Sequence, residues 1–385
     1  MTTELKRLHM KKSGEWAGFA IFALMGGFAT AYGVMVPVFR ERFNLDIAQG
    51  GLIFAVAGAS AFTGIAIGTW SVSKFPARIA GAWGAFSMAL GAVLIAIAGS
   101  WSATLVGVVF VGLGFGTSDA TISQFASTGG NSKAVRLTNL INAGFALGAV
   151  LVPLIINYGI QNDFTLVVIG IAVAFFIVGV VFFKSVSGQL IHEKHREKPQ
   201  GHRFLFFLLL IGIAFYVGVE AGVGGWIPTY LIESGSSATR GAWALALFFF
   251  MLFLGRILSA RIAKNISPAW LSTIGLFLAI LALLMIWFTP WIFFSIALLG
   301  LFCAPVFPSV LVWAVRITPG DPRTAGFFLL AGITGGTISP TLMGYLMRYF
   351  GTESFPLILI PPALIGGLIF LWGIRRNVVE HIDAD

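Results

Sequence analysis

The chain has 385 residues, of which 58% are hydrophobic and only 10% are charged. Soluble domains carry about 25% charged residues, so this composition excludes an ordinary soluble protein. A formal net charge of +9 could indicate nucleic-acid binding. The positive charges, however, lie in short segments between long apolar blocks, and this pattern indicates a polytopic membrane protein.

Twelve apolar blocks reach the ~17–25 residues that a helix needs to cross a bilayer. Their approximate bounds are 15–39, 48–72, 78–99, 101–127, 134–157, 163–184, 204–231, 241–262, 268–289, 291–316, 323–348 and 354–374. We therefore predict an all-α integral membrane protein with twelve transmembrane helices. The first block is too long for the core of a signal peptide, so we expect a retained first span.

The basic residues are distributed asymmetrically about these spans. With a cytoplasmic N-terminus, 20 of the 24 Lys and Arg residues fall in cytoplasmic segments, Arg256 among them. The exceptions are Arg40, Arg42, Arg240 and Arg348. This asymmetry is the positive-inside rule, which favours both termini in the cytoplasm, and we expect the protein in the inner membrane. The asymmetry also explains the basic charge without a nucleic-acid partner.

A polar segment in the middle of the chain separates six spans from six. We predict an N-terminal six-helix bundle (1–184), a cytoplasmic linker (185–203) and a C-terminal six-helix bundle (204–385). Glycine and proline features recur between the halves at offsets of 191, 187 and 188 residues. They are Gly33 and Pro37 with Gly224 and Pro228, Gly148 and Pro153 with Gly335 and Pro340, and Gly112 with Gly300. Two pseudo-symmetric, parallel repeats with a site at their interface are typical of secondary transporters.

Of the 15 acidic residues, only Asp119 and Glu220 lie well inside predicted spans. A carboxylate at this depth is expensive, and a group that can gain and lose a proton there suits a proton relay. The alternative is a neutral carboxyl that is hydrogen-bonded between helices. Neither residue has a basic neighbour within a helical turn or two, so their partners must come from other helices or from water.

Other polar residues lie at helical spacing around these acids. Ser123 is four residues after Asp119, and Tyr216 is four residues before Glu220, so each pair shares a helix face. Asn142 lies at about the depth of Asp119. It could bind a substrate hydroxyl or bridge two helices.

Two aromatic residues complete the candidate substrate contacts, Trp226 in span 7 and Tyr32 in span 1. An aromatic ring over a cavity can cover the apolar face of a sugar or a drug. For Trp226, an interfacial belt or lipid contact is the alternative.

Proline residues interrupt the later spans. In "GLFCAPVFPSVLVWA" (300–314), Pro305 and Pro308 lack the N–H groups that would bond the carbonyls of Leu301 and Ala304. Unpaired carbonyls at this depth are tolerated only where a helix faces protein or a wet cavity. We predict a helix break with a gating role here and at Pro340; a simple packing kink is the alternative.

No pattern in the chain indicates an enzyme, a metal site or a cofactor. The single cysteine, Cys303, lies in an apolar block, and no intrachain disulfide is possible. "HEKH" (192–195) lies in the charged linker and is typical of a solvated loop. Neither a Ser/His/Asp pattern nor a zinc-hydrolase pattern is present, and a membrane-embedded enzyme or a sensor is therefore disfavoured.

Over essentially its whole length the sequence resembles transporters of the major facilitator superfamily. It is most similar to the branch that contains the fucose, glucose and galactose:proton symporters. The stretches that carry the resemblance are "GVMVPVFRERFNLDIAQGGL" (33–52), "GFGTSDATIS" (114–123), "NAGFALG" (142–148), "YVGVEAGVGGW" (216–226), "GLFCAPVFPS" (300–309) and "GITGGTISPTLMGYL" (332–346).

The resemblance implies roles for three residues and an alternating-access mechanism. Asp119 falls where the branch has an acid that handles substrate and proton, Asn142 at a sugar-contacting asparagine, and Glu220 at an acid found in many members. The chain departs from the family in the loop "GTWSVSKFPAR" (68–78), which lacks the family's acid and later glycine, and in span 1, which lacks the fucose permease carboxylate. Ser123 also stands where the branch often has asparagine.

These observations predict a monomeric secondary transporter in the lipid bilayer. We expect it to take up a small polar solute, a sugar above all, by symport with protons. The alternative is a proton-driven exporter of drugs or metabolites. An exporter needs the same carboxylates but a wider aromatic cavity.

Overall fold

The computed structural model describes residues 9–127, 131–187, 203–262, 265–318 and 324–382. Within these ranges thirteen α-helices dominate the chain. They are α1 (Lys12–Phe43), α2 (Ile47–Lys74), α3 (Ala77–Ile97), α4 (Trp101–Ser127), α5 (Asn131–Gln161), α6 (Phe164–Ser185), α7 (Arg203–Glu233), α8 (Ala238–Ile262), α9 (Pro268–Phe288), α10 (Ile292–Cys303), α11 (Val306–Ile317), α12 (Thr324–Phe350) and α13 (Phe355–Ile382). Two short strands, β1 (His9–Met10) and β2 (Val186–Ser187), pair antiparallel, and a 3₁₀ turn (Thr352–Ser354) precedes α13.

In the described residues, twelve segments are long and apolar enough to cross a membrane, which confirms the predicted all-α, twelve-span fold. Several helices extend past the predicted bounds; α1, for example, begins at Lys12 and ends at Phe43. The predicted tenth span is one crossing built from two helices, α10 and α11. Most of the predicted linker, with its "HEKH" motif, lies outside the described residues.

Large apolar and aromatic side chains are exposed on the outer surfaces of the helices. Trp291 is 69% exposed and Tyr349 is 86% exposed, and both lie at helix ends. Aromatic rings at the ends of membrane-spanning helices favour the bilayer–water interface. This exposure fits a protein whose outer surface is covered by lipid rather than by water.

The described residues form two compact units. The first contains residues 9–45 and 52–187, and the second contains residues 46–51 and 203–382. The first turn of α2 thus belongs to the second unit, where Asp46 Oδ2 lies 3.2 Å from Arg348 Nη1. The bundle boundaries drawn from the sequence stay a prediction.

The two units repeat the same helix pairings. In the first, α1 packs against α5 and α6, and α3 packs against α4 and α6. In the second, α7 packs against α12 and α13, and α9 packs against α10, α11 and α13. With α10 and α11 counted as one crossing, each of these pairings in one unit has its equivalent in the other, as the duplication inferred from glycine and proline spacing requires.

Close backbone contact at matched glycines produces these pairings. A methyl group at Gly148 of α5 would collide with the carbonyl oxygen of Ala23 in α1. A methyl group at Gly335 of α12 would collide in the same way with the carbonyl oxygen of Ala214 in α7. In membranes, small residues let helices approach closely enough for packing forces to hold them together. Gly148 is therefore a contact point between α1 and α5, and Gly335 is the equivalent contact point between α7 and α12.

A second matched pair joins the second and fourth helices. Gly112 of α4 lies against the carbonyl oxygen of Ala57 in α2, and Gly300 of α10 lies against that of Phe248 in α8. Gly112 and Gly300 are the pair that the sequence matched at an offset of 188 residues. Contact between α8 and α10 also brings the helices of the candidate site together.

We expect Gly148→Ala and Gly335→Ala each to lower the stability of the protein, because an added methyl must push two helix backbones apart. Overpacking of this kind costs about 1–3 kcal/mol. Thermal unfolding of the detergent-solubilised protein, followed by size-exclusion chromatography, measures the effect.

Gly170→Ala is the matched control for these variants, because Gly170 lies inside α6 with no atom within 4 Å of an added methyl. Alanine favours a helix interior over glycine by up to ~1 kcal/mol, so this variant should be neutral or more stable. Equal losses in all three variants would contradict the proposed role of the matched glycines.

Candidate functional site

Glu220 lies in the interior of α7 within the second unit, and its side chain is 21% exposed. The hydroxyl of Tyr216, a fully buried residue one turn earlier, donates to Glu220 Oε2 at 2.6 Å. The sequence predicted that these residues share a helix face, and the structure brings them into direct contact. A carboxylate at this depth would otherwise cost at least ~2.5–3.5 kcal/mol.

A cation from the neighbouring helix also faces this carboxylate. Arg256 Nη2 of α8 lies 3.9 Å from Glu220 Oε1. Counting Arg256 among the cytoplasmic loop charges was wrong, because the residue lies inside α8, about 9 Å along the helix axis before Ile262. Its depth in the apolar run, together with Glu220's need for a partner, was the signal in the sequence that could have identified it.

Gly255, immediately before Arg256, allows α8 to pack closely against the tenth crossing. A methyl group at Gly255 would lie 2.9 Å from the carbonyl oxygen of Leu301 and 2.5 Å from Cβ of Ala304. The Leu301 carbonyl is one of the two that the proline pattern predicted to lose a partner. The absence of a side chain at Gly255 thus lets α8 pack on this part of the tenth crossing.

The tenth crossing is interrupted where the prolines predicted a break. The first helix, α10, ends at Cys303, the second, α11, begins at Val306, and Ala304 and Pro305 form a turn between them. Tyr216 Oη also lies 2.8 Å from the carbonyl oxygen of Cys303. The break therefore adjoins the Glu220 cluster, while a gating role for Pro305 and Pro308 stays a prediction.

Trp226 is buried among helices of the second unit. Its indole Nε1–H donates to the carbonyl oxygen of Pro340 at 2.7 Å, and its ring lies against Gly51 and Gly344. With 0% of its surface exposed, Trp226 makes no contact with lipid, so that alternative is excluded. The helix break predicted at Pro340 is wrong, because the residue lies within the continuous helix α12, where a single missing N–H is tolerated. A substrate contact by Trp226 and a gating role for Pro340 stay predictions.

The first unit holds Asp119 in a different environment. Asp119 is half-buried in α4, and Ser123 Oγ donates to its Oδ1 at 3.2 Å, as their shared helix face predicted. Among the described ion pairs, none includes Asp119. In the part of the chain that the structure describes, Asp119 therefore has no ion-pair partner, whereas Glu220 has Arg256.

Two further candidates of the first unit offer polar groups. Asn142 is exposed on α5 and donates to the carbonyl of Thr138 in its own helix at 2.8 Å, so this bond does not bridge two helices. Tyr32 of α1 is buried with its ring edge-on to Phe28, and its hydroxyl has no hydrogen-bond partner among the described residues. A buried hydroxyl without a partner is uncommon and suits a group that exchanges partners. Substrate binding by Asn142 and Tyr32 stays a prediction.

Each unit thus offers its own polar groups on membrane-spanning helices. The second unit has one carboxylate with a tyrosine hydroxyl and a guanidinium beside it, and the first has one carboxylate with a serine hydroxyl beside it. In the described part of the chain, no group of three or more His, Cys, Asp or Glu side chains is placed to hold a metal ion.

Comparison with known protein families decides the class of this helical protein. The model of the family described as "Major Facilitator Superfamily" matches residues 3–153 and 209–383. The chain belongs to the major facilitator superfamily. It is therefore a membrane transporter and not an enzyme, as the sequence predicted.

Three relatives of this superfamily member match most of its length at low identity. A glucose/mannose transporter of Bacillus subtilis is 23% identical, with 86% of this chain and 87% of the relative covered. A glucose/galactose transporter of Brucella abortus is 25% identical, covering 89% and 92%. The fosmidomycin resistance protein of Escherichia coli is 24% identical, covering 82% of each.

Solved structures of other transporters share the fold of this superfamily member. A peptide transporter POT in complex with sulfate superposes with a TM-score of 0.78 at 16% identity, covering 96% of this chain and 95% of that one. An inward-facing bacterial homologue of the human lysosomal transporter Spinster gives a TM-score of 0.75 at 16% identity, covering 95% and 98%.

We expect Arg256→Gln and Glu220→Gln to be coupled in their effects on stability. Each single variant leaves one charged group without its partner, whereas the double variant removes both charges. For a partly exposed pair the coupling should be roughly 0.5–1 kcal/mol. Melting temperatures of the wild type, both single variants and the double variant in detergent measure it, and strictly additive effects would show that the two side chains do not interact.

Proposed function

We propose that this transporter takes up a small sugar in symport with protons by alternating access. Three observations support the proposal: the polar cluster around Glu220, the Asp119–Ser123 pair, and relatives described as glucose/mannose and glucose/galactose transporters. The Glu220 cluster carries most of the argument, because its role must explain why a costly carboxylate is kept inside a membrane helix.

Glu220 is suited to carry the coupling proton. Its partners, the Tyr216 hydroxyl and the Arg256 guanidinium, stabilise the carboxylate, and its side chain is not fully enclosed by the protein. When Glu220 takes up a proton, the attraction between Glu220 and Arg256 is lost. Protonation therefore changes the interactions within the second unit, and a proton or a substrate that binds two conformations unequally shifts the balance between them.

The first unit supplies the remaining polar groups in this proposal. Asp119 provides a second carboxylate for substrate or proton, and its hydrogen bond with Ser123 fixes its orientation. Asn142, exposed on α5, offers its amide to a sugar hydroxyl, and Tyr32 offers a hydroxyl that has no partner among the described residues. Tyr216 and Trp226 contribute from the second unit.

We propose a monomer in the inner membrane with both termini in the cytoplasm. The charge distribution supports the orientation, because the positive-inside rule favours cytoplasmic loops rich in Lys and Arg. Arg256 no longer counts as a loop charge, but the other cytoplasmic basic residues keep the bias.

A proton-driven exporter is the second candidate function. The fosmidomycin resistance protein matches this chain over 82% of its length at 24% identity, about as well as the sugar transporters. An exporter could use the same carboxylates, with the proton moving inward as the substrate moves outward.

We expect glucose, galactose or mannose to acidify the interior of liposomes that contain the wild-type protein. Glu220→Gln and Asp119→Asn should each reduce sugar-driven acidification roughly tenfold or more, a typical range for loss of coupling between two sites. A pH-sensitive dye inside the liposomes records the acidification, and radiolabelled sugar records uptake in the same vesicles.

Glu41→Gln is the matched control, because Glu41 lies exposed near the end of α1, outside the candidate site. It should acidify the liposomes like the wild type. Sugar uptake without acidification would indicate a uniporter and would contradict the proton coupling. If no sugar enters and the protein instead confers resistance to added fosmidomycin on a sensitive strain, the exporter replaces the symporter.

A further inference from the structure

Three oxygen atoms form a row at the junction of α7 and the break in the tenth crossing. Tyr216 Oη is in the middle, 2.6 Å from Glu220 Oε2 and 2.8 Å from the carbonyl oxygen of Cys303. Tyr216 is completely buried, so water does not compete for its hydroxyl in this arrangement. The three atoms link a titratable group directly to the last residue of α10.

The number of hydrogen atoms available to these three oxygens depends on whether Glu220 is protonated. A tyrosine hydroxyl has one hydrogen to donate, whereas an ionised carboxylate and a backbone carbonyl can only accept. With Glu220 ionised, Tyr216 can therefore satisfy only one of its two neighbours at a time. Tyr216 should donate to the carboxylate rather than to the carbonyl, because a hydrogen bond to a charged acceptor is roughly twice as strong as one to a neutral acceptor.

Protonation of Glu220 removes this competition. One proton from water adds to the carboxylate, one O–H bond forms, and no bond in the protein breaks. The Glu220 hydroxyl can then donate to Tyr216 Oη, and Tyr216 is free to donate to the carbonyl of Cys303. Both hydrogen bonds of the row exist together only in this state.

The Cys303 carbonyl lies where a change of partner matters for the backbone. Cys303 is the last residue of α10, and the Ala304–Pro305 turn follows it. Pro305 and Pro308 provide no N–H groups to this part of the chain. The turn keeps two backbone hydrogen bonds, from Ala304 N to the Gly300 carbonyl and from Ser309 N to the Pro305 carbonyl, and the Tyr216 hydroxyl offers the Cys303 carbonyl a donor from α7.

The charged and titratable groups that face Glu220 come from two helices. Helix α8 contributes Arg256, and α10 contributes the thiol of Cys303 and no charged residue. In the described parts of α11, α12 and α13, which also pack against α7, no side chain forms an ion pair with Glu220. Arg256 attracts Glu220 in its ionised form, whereas Tyr216, among the described residues, links Glu220 to the break.

We propose that Tyr216 is a positioning residue that transmits the protonation state of Glu220 to the break between α10 and α11. The break is held by Tyr216 when Glu220 is protonated and is released when Glu220 is ionised. This inference rests on the proposed function in one respect, namely that Glu220 is the group that takes up the coupling proton.

Two substitutions separate the steps of this mechanism. Glu220→Gln imitates the protonated acid, because the amide can donate to Tyr216 Oη while carrying no charge. Tyr216→Phe removes the central hydroxyl and keeps the ring that fills the buried space. The double variant shows whether Glu220 affects the break without Tyr216.

The accessibility of Cys303 measures how firmly the break is held. No cysteine has to be introduced, because Cys303 is the only cysteine of the chain and is fully buried. The measurement is the rate at which a maleimide modifies Cys303 in detergent at one neutral pH. We expect Glu220→Gln to slow modification about fivefold relative to the wild type, the effect of one net hydrogen bond. Tyr216→Phe should modify at least as fast as the wild type, and adding Glu220→Gln to Tyr216→Phe should change nothing.

If Tyr216 only fills space and does not transmit the protonation state of Glu220, the labelling rates will follow a different pattern. Glu220→Gln would then change the rate by the same factor with and without the hydroxyl, because any effect through Arg256 persists in both backgrounds. That additive outcome, or an unchanged rate in Glu220→Gln alone, would overturn the proposal. Amide hydrogen exchange of the Gly300–Ser309 peptide provides the same four-way comparison if Cys303 reacts too slowly to measure.

This test is independent of the transport assay. Labelling rates that follow the expected pattern in a protein without sugar-driven acidification would keep the role of Tyr216 and reject the proposed function. Acidification that depends on Glu220, combined with additive labelling rates, would keep the function and reject the role of Tyr216.

Discussion

Glu220 can remain inside a membrane-spanning helix because its own helix and α8 bring polar groups to its carboxylate. Tyr216 donates to it from one turn away, and Arg256 places a cation 3.9 Å from it. Arg256 reaches this position because Gly255 lets α8 pack closely on the tenth crossing. The break at Ala304 and Pro305 adjoins the same cluster, through the Cys303 carbonyl and Tyr216. Packing, helix interruption and charge are therefore linked at one point.

The two units share a scaffold and differ in what it carries. Matched glycines make equivalent helix contacts in both, as Gly148 and Gly335 do against the carbonyls of Ala23 and Ala214. The polar groups are not matched, because Asp119 has a serine partner and Glu220 has a tyrosine and an arginine. A duplicated packing pattern with different polar side chains permits the two units to perform different parts of one transport cycle.

Features set by local spacing could be predicted from the sequence. Hydropathy indicated the twelve spans, and helical periodicity paired Tyr216 with Glu220 and Ser123 with Asp119. The prolines predicted the helix break at Ala304 and Pro305, where two prolines three residues apart remove two N–H groups, but not at Pro340, which lies inside the continuous helix α12. Each of these inferences depends on residues within a few positions of one another.

Features set by contact between helices could not be predicted in this way. The sequence places Arg256 inside the eighth predicted span, but distance along the sequence does not show that it faces Glu220 on a neighbouring helix. The burial of Trp226 was equally inaccessible, since the rotation of α7 is fixed by its contacts with Pro340, Gly51 and Gly344. The glycine at 255 gave no sign that it would permit a close approach to Leu301 and Ala304.

The most direct test of the central claim, that Glu220 carries the coupling proton, is infrared difference spectroscopy of the purified transporter with and without glucose. The carbonyl stretch of a protonated carboxylic acid can be assigned to Glu220 by its absence in Glu220→Gln. If Glu220 links proton and sugar binding, glucose should change the amplitude of this band, because linkage between two ligands is reciprocal. A band that glucose leaves unchanged, in a protein that transports glucose with protons, would show that another group carries the proton.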